Sequence, residues 1–61
     1  MFIIQNPKTK EIKLFEKCDD AILYAIKEIE RANQQKRFLY LELIKDNKCL
    51  REFFSGGVVP M

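Results

Sequence analysis

The stretch RFLYLELIKDNKCLREFF, residues 37–54, decides the fold because it holds two strand-forming runs around a short turn. Aromatic and aliphatic residues dominate both runs, and such residues favour strands. Asp46 and Asn47 stand between the runs, and both tolerate the positive φ angles of a type I′ turn. This stretch therefore predicts a β-hairpin.

Upstream of this hairpin, the sequence predicts a second hairpin and a helix. Residues 2–5 and 11–16 form the first pair of strands, with Asn6 and Pro7 suited to the first two positions of a type I turn. From residue 19 to about residue 36, apolar residues recur at three- and four-residue steps, as in an amphipathic helix. Asp19 is expected to cap the start of this helix, and Asn33 lies near its predicted end.

The element order is therefore ββαββ, and it predicts an α+β fold. We expect a four-stranded antiparallel sheet in the order 4-3-1-2, with one helix packed on one face. Residues 1–54 would form a single domain, and residues 55–61 a flexible C-terminal tail, because its paired glycines permit many backbone states. The predicted core draws on the helix and on the inner face of the sheet: Ile4, Ile12, Leu14, Ile22, Ala25, Ile26, Ile29, Leu39, Leu41 and Leu43.

The outer face of the sheet is the candidate contact surface. Continuous pairing from the Asp46-Asn47 turn places Glu42 opposite Arg51 and turns the leucines toward the helix. It also places Glu52, a charged residue, among these apolar side chains. Cross-strand pairs of opposite charge or of two aromatic rings support this register. The outer face then mixes aromatic, aliphatic and charged residues, as protein interfaces do. The predicted partner-binding residues are Phe38, Tyr40, Glu42, Ile44, Arg51 and Phe53.

Two alternatives would remove this surface. Val58 and Val59 could fold back over it, or a three-residue loop could shift the register of the second hairpin. Either outcome would leave the aromatic residues without access to a partner.

The composition argues against enzyme chemistry. The chain has 61 residues, a net charge of +2, no His and only two cysteines, Cys18 and Cys49. The usual general base near neutral pH is missing, as are the four ligands of a structural zinc site, so we expect no catalytic residue, no metal and no cofactor. Both cysteines are expected to be buried and reduced. Without a secretion leader or a membrane-spanning run, a cytoplasmic location is expected.

These features predict a stand-alone regulator or inhibitor that binds a larger protein, of the kind that phages and other mobile elements encode. One alternative is a nucleic-acid-binding accessory protein, in which exposed rings stack on bases and cationic side chains hold phosphates. The near-neutral charge weighs against it. A structural homodimer is a further alternative, because a second copy would extend a thin core. The cationic candidates for phosphate contacts are Lys8, Lys10, Lys13, Lys36 and Arg37.

Overall fold

The computed structural model describes residues 1–56, and it confirms the predicted order ββαββ. The sheet order β2-β1-β3-β4 is the predicted order viewed from the opposite edge, and all neighbouring strands are antiparallel. Within the described residues, no helix is both long enough and apolar enough to cross a membrane. The elements are β1 (Phe2–Asn6), β2 (Glu11–Phe15), α1 (Cys18–Gln34), β3 (Tyr40–Lys45) and β4 (Lys48–Phe54).

Both hairpin turns form where the sequence predicts them. Asp46 and Asn47 have φ angles of 53° and 63°, as a type I′ turn requires. In the first turn, the side-chain oxygen of Asn6 accepts hydrogen bonds from the amides of Lys8 (2.9 Å) and Thr9 (3.2 Å). The short polar side chain of Asn6 therefore holds the turn together.

The helix ends differ in detail from the prediction. Lys17 occupies the N-cap position without a side-chain hydrogen bond, so the prediction of an Asp19 cap is wrong. Asp19 instead lies inside the first turn, where its charge complements the helix dipole. At the other end, the amide of Arg37 donates to the carbonyl oxygen of Ala32 (2.8 Å), and Lys36 takes the left-handed conformation with φ of 55°. A left-handed residue at this position commonly ends a helix.

The core lies between α1 and one face of the sheet. Ile4, Leu41, Leu43 and Phe53 are its buried sheet residues, and Ala21 and Ala25 are its buried helix residues. Small side chains on the helix let its backbone approach the sheet closely. The core prediction is confirmed for Ile4, Ala25, Leu41 and Leu43, whereas Ile22, Ile29 and Leu39 are only partly buried.

Three residues of the predicted core are exposed: Ile12, Leu14 and Ile26. Ile4 pairs with Lys13 across β1 and β2, so Lys13 shares the inner side and its neighbours Ile12 and Leu14 turn outward. The helix is also rotated relative to the prediction, because its alanines, rather than Ile26, face the sheet.

The second hairpin contains a β-bulge that the continuous register did not include. Ile44 pairs with Cys49 as predicted, but Leu43 pairs with Arg51, which leaves Leu50 as the extra residue. Beyond this point every pair is shifted by one residue, so Glu42 faces Glu52 and Leu41 faces Phe53. The predicted Glu42–Arg51 and Tyr40–Phe53 pairs are therefore wrong, and Phe53 enters the core.

The start of the predicted C-terminal tail is hydrogen-bonded to the domain. The buried hydroxyl of Ser55 accepts from the amide of Leu39 (2.7 Å) and donates to the carbonyl oxygen of Arg37 (2.8 Å). The amide of Gly56 donates to the side chain of Asn33 (2.7 Å). Residues 57–61, with the alternative that Val58 and Val59 cover the sheet, lie outside the described residues.

Candidate protein-docking face

The face of the sheet away from α1, here called the open face, follows from the pairing of the strands. Residues on either side of the buried Ile4 and Leu43 point away from the core because side chains alternate along a strand. One row across the four strands is Leu14, Ile3, Ile44 and Cys49, and the next is Ile12, Gln5, Glu42 and Glu52. Tyr40 and Phe54 form a third, shorter row.

Apolar side chains on the open face are unusually accessible. Ile12 is 59% exposed, Leu14 54% and Phe54 58%. A sheet face that meets only water is normally polar, whereas clustered exposed apolar residues mark contact surfaces. The open face therefore exposes clustered apolar side chains of the kind that mark contact surfaces.

A hydrogen-bonded acidic cluster, Glu42, Glu52 and Tyr40, lies among these apolar residues. The Tyr40 hydroxyl lies 2.7 Å from a Glu52 carboxylate oxygen and 3.2 Å from a Glu42 oxygen, and donates toward both. The Gln5 amide also donates to Glu42, at 3.4 Å. The hydrogen bond to Glu52 is the main cause that raises the pKa of Tyr40 well above its ordinary value, followed by burial and the contact with Glu42.

The two carboxylates have no cationic partner within residues 1–56, where the one salt bridge joins Arg31 and Glu28 on the helix. Arg51, the predicted partner of Glu42, pairs with Leu43 and places its guanidinium 5.2 Å from the centre of the Phe53 ring. Like charges directly opposite each other on neighbouring strands are destabilising. The cluster is therefore electrostatically unsatisfied in the described chain.

Cys49 borders the acidic cluster. Its sulfur and one oxygen each of Glu42 and Glu52 all lie within 4.8 Å of one another. Cys49 is exposed and Cys18 is half-buried, so the prediction that both are buried is wrong, although both are free. A structural zinc ion takes four ligands, usually Cys and His, and this set offers three with a single thiol.

The structure brings together three of the six predicted contact residues, Tyr40, Glu42 and Ile44. Phe53 is 8% exposed and lies in the core, and Arg51 lies on the same side of β4 as Phe53. Phe38 precedes β3 and is 67% exposed, beside Gly56. The open-face residues that the sequence prediction missed are Ile3, Gln5, Ile12, Leu14, Cys49, Glu52 and Phe54. The sequence did contain a signal for the shifted register, because the continuous register would have placed the charged Glu52 among the leucines.

Both edges of the sheet carry features that oppose the addition of another strand. On edge strand β2, Lys13 points to the inner side, and its ammonium group lies 5.4 Å from the centre of the Tyr24 ring. On edge strand β4, the bulge at Leu50 interrupts regular pairing. Inward-pointing charges and bulges are common devices that protect sheet edges. A partner is therefore better accommodated on the open face than on an edge.

A pocket of about 230 Å³ lies on the opposite side, between α1 and the sheet. Ile4, Tyr24, Leu39 and Leu41 are among its apolar lining residues. Burial, together with the charges of Glu28 and Glu11, raises the pKa of Tyr24. Ligand pockets usually measure about 300–1,000 Å³, so this space is small for a cofactor.

The cationic residues suggested for nucleic acid do not lie on the open face. Lys8 and Lys10 belong to the first turn, Lys13 lies on the inner side, and Lys36 and Arg37 follow α1. None of them therefore shares the open face with Tyr40 and Phe54, although Arg37 adjoins the exposed Phe38 that precedes β3. No family model, no curated protein and no solved structure matches the chain.

Proposed function

We propose that this chain is a small regulator or inhibitor that docks its open face on a larger protein. The observation that carries the proposal is the combination of exposed Ile12, Leu14 and Phe54 with an acidic cluster at the same face. Apolar contacts would supply the favourable free energy of docking, and the cluster would select the partner, because buried charge must be matched. Neither role requires catalytic groups.

A protein partner fits this face better than a nucleic acid. Nucleic-acid affinity comes largely from cations that neutralise phosphates. The strand residues of the open face include two carboxylates, Glu42 and Glu52, and no Lys or Arg. Phosphates approaching this face would be repelled, and the net charge of the chain is only +2, so fluorescence anisotropy of a labelled single strand at low salt should show no binding.

A back-to-back homodimer is the second candidate, since Leu14 and Phe54 could pair with their copies. A two-fold axis through the open face would bring the carboxylates of Glu42 and Glu52 from both copies together, which is unfavourable without a cation between them. Sedimentation equilibrium at micromolar concentration should therefore give the 7.3 kDa monomer. A stable dimer in this experiment would favour the homodimer over docking on another protein.

A reducing cytoplasm is the setting that we propose for this interaction. Cys18 and Cys49 are both free, and the thiol of Cys49 is exposed at the open face. An exposed thiol persists in the reduced form most readily where glutathione and thioredoxin act.

The proposal can be tested by affinity capture from a lysate of the source cell. Leu14→Ser/Phe54→Ser should lose the specific partner, because it removes two exposed apolar contacts of the open face. Leu23→Ser is the matched control, since Leu23 is 52% exposed but lies on the helix. Capture of the same proteins by all three forms would refute docking through the open face.

A further inference from the structure

The charge pattern of the open face specifies the chemistry of its occupant, on the premise that the proposed docking function holds. Glu42 and Glu52 face each other across β3 and β4, and neither forms a salt bridge within the described part of the chain. The Tyr40 hydroxyl donates its single hydrogen toward both carboxylates, and the Gln5 amide donates one further hydrogen bond to Glu42. Most of the acceptor sites of the two carboxylates therefore lack a donor from the protein.

We infer that the partner presents an arginine, flanked by apolar residues, to the acidic cluster of the open face. A guanidinium offers five N–H donors in a planar fork, so one group can bond two carboxylates at once. The ammonium group of a lysine has only three N–H donors, and they do not form a planar fork. Carboxylate oxygens of Glu42 and Glu52 lie within 4.8 Å of each other, which is within the span of one bridging cation.

The residues around the cluster favour guanidinium as well. The Tyr40–Phe54 row lies next to the acidic pair, and arginine stacks on aromatic rings more readily than lysine does because its guanidinium is planar and weakly hydrated. Ile12 and Ile44 flank the same region. Apolar neighbours on the partner would cover these side chains and exclude water from the charged contact, which strengthens it.

A second copy of this chain that pairs open face to open face does not fit that description. It would present its own Glu42 and Glu52 to the face, and Arg51, the one arginine of its strands, lies on the inner side of the sheet. A phosphate-bearing partner would be repelled by the carboxylates. Both are outcomes that the experiment below can detect.

The test uses the full chain and a defined peptide, acetyl-Leu-Ser-Arg-Ser-Leu-amide, with matched peptides that carry citrulline or lysine at the centre. Amide chemical shifts are followed by NMR during titration at low ionic strength, with a chelator present to remove metal ions. The arginine peptide should shift the amides of Glu42, Cys49 and Glu52. It should bind about tenfold more tightly than its neutral citrulline counterpart, because hydrogen bonds between charged groups are the stronger ones. Equal binding of the three peptides would overturn the inference.

A pair of double variants separates this site from general charge attraction. Glu42→Gln/Glu52→Gln should reduce binding of the arginine peptide to the level of the citrulline peptide. Glu16→Gln/Glu30→Gln removes the same charge from two exposed positions outside the open face and should leave binding unchanged. Equal losses in both double variants would indicate non-specific attraction and would also overturn the inference.

Failure of this inference can be distinguished from failure of the proposed function. If Leu14→Ser/Phe54→Ser abolishes capture of the partner while the peptides bind equally, docking stands and the arginine assignment is wrong. If capture is insensitive to Leu14→Ser/Phe54→Ser, the docking function itself is wrong. Self-association in the absence of peptide would identify a second copy as the occupant and refute both.

Discussion

Replacing Phe53 and Phe54 one at a time by Ala tests the bulge on which the open face depends. Phe53 is 8% exposed and Phe54 58% exposed. With about 150 Å² of ring surface and about 25 cal/mol per Å², their buried fractions correspond to about 3.5 kcal/mol for Phe53 and about 1.5 kcal/mol for Phe54. Phe53→Ala should therefore lower the free energy of unfolding by about 2 kcal/mol more than Phe54→Ala.

Urea unfolding followed by circular dichroism measures this difference. A core of this size supplies only about 3–5 kcal/mol, so Phe53→Ala should be largely unfolded without a stabilising osmolyte. Phe53→Leu and Phe54→Leu, which remove fewer atoms, should show the same order with smaller losses. An unbulged hairpin would place Phe54 among the leucines and Phe53 outside. Equal losses, or a larger loss at Phe54, would therefore refute the bulged register.

Lys36→Gly should raise the free energy of unfolding by about 0.5–1 kcal/mol, because Lys36 holds a left-handed φ of 55° that glycine adopts without strain. Urea unfolding measures that gain. Ser55→Ala should lower the free energy of unfolding by about 1–3 kcal/mol, because it removes two hydrogen bonds to backbone groups that are only partly buried, and amide exchange of the Leu39 backbone donor should accelerate. Tyr40 should ionise above the ordinary tyrosine pKa in a phenolate absorbance titration. Its raised pKa means that the folded state holds the phenol proton more tightly than the unfolded state does. The resulting contribution to the stability of the fold is complete below the unfolded pKa of about 10 and is lost as the pH rises through the pKa of the folded state.

Each of these predictions has a control within the chain. Lys27→Gly, at an exposed position inside the helix, should destabilise by about 1 kcal/mol, so a gain there would contradict the argument about φ. Thr9→Ala removes an exposed hydroxyl and should change stability far less than Ser55→Ala does. Glu52→Gln should return the pKa of Tyr40 toward its ordinary value but leave Tyr24 raised, because burial is the main cause at Tyr24.

Local signals in the sequence were sufficient for the elements and their order. The Asp46-Asn47 turn, the Asn6-Pro7 turn and the helical spacing of apolar residues each depend on a few neighbouring residues, and all three appear in the structure. The sheet order followed because antiparallel neighbours joined through one helix leave few arrangements. For the candidate site, Tyr40, Glu42 and Ile44 were placed on the correct face because they alternate with leucines that were assigned to the helix side, and Leu41 and Leu43 are buried there.

Alternation does not say which face of a strand is buried. Ile12 and Leu14 share a face, as the period of two predicts, but the first hairpin pairs Lys13 with the buried Ile4 and turns both outward. The conformation of the residue 7–10 turn sets that register, with Lys10 at a φ of 69°. A single lysine on the inner side of edge strand β2 is tolerable because its ammonium group can reach water beside Tyr24. The exposed apolar side of β2 was therefore missed.

The bulge in β4 has a physical cause that also produces the acidity of the open face. In an unbulged hairpin, Glu52 would face the helix among the leucines, where an unpaired carboxylate costs several kcal/mol. The extra residue at Leu50 leaves one position of β4 unpaired and turns every later side chain of the strand to the opposite face. Phe53 is therefore buried where Glu52 would otherwise lie. An unbulged hairpin would bury Phe54 instead of Phe53, so the avoided burial of the Glu52 carboxylate is the difference that favours the bulged register. The same shift brings Glu52 beside Glu42, so the charge on which the proposed recognition of arginine depends is a consequence of how the chain completes its core.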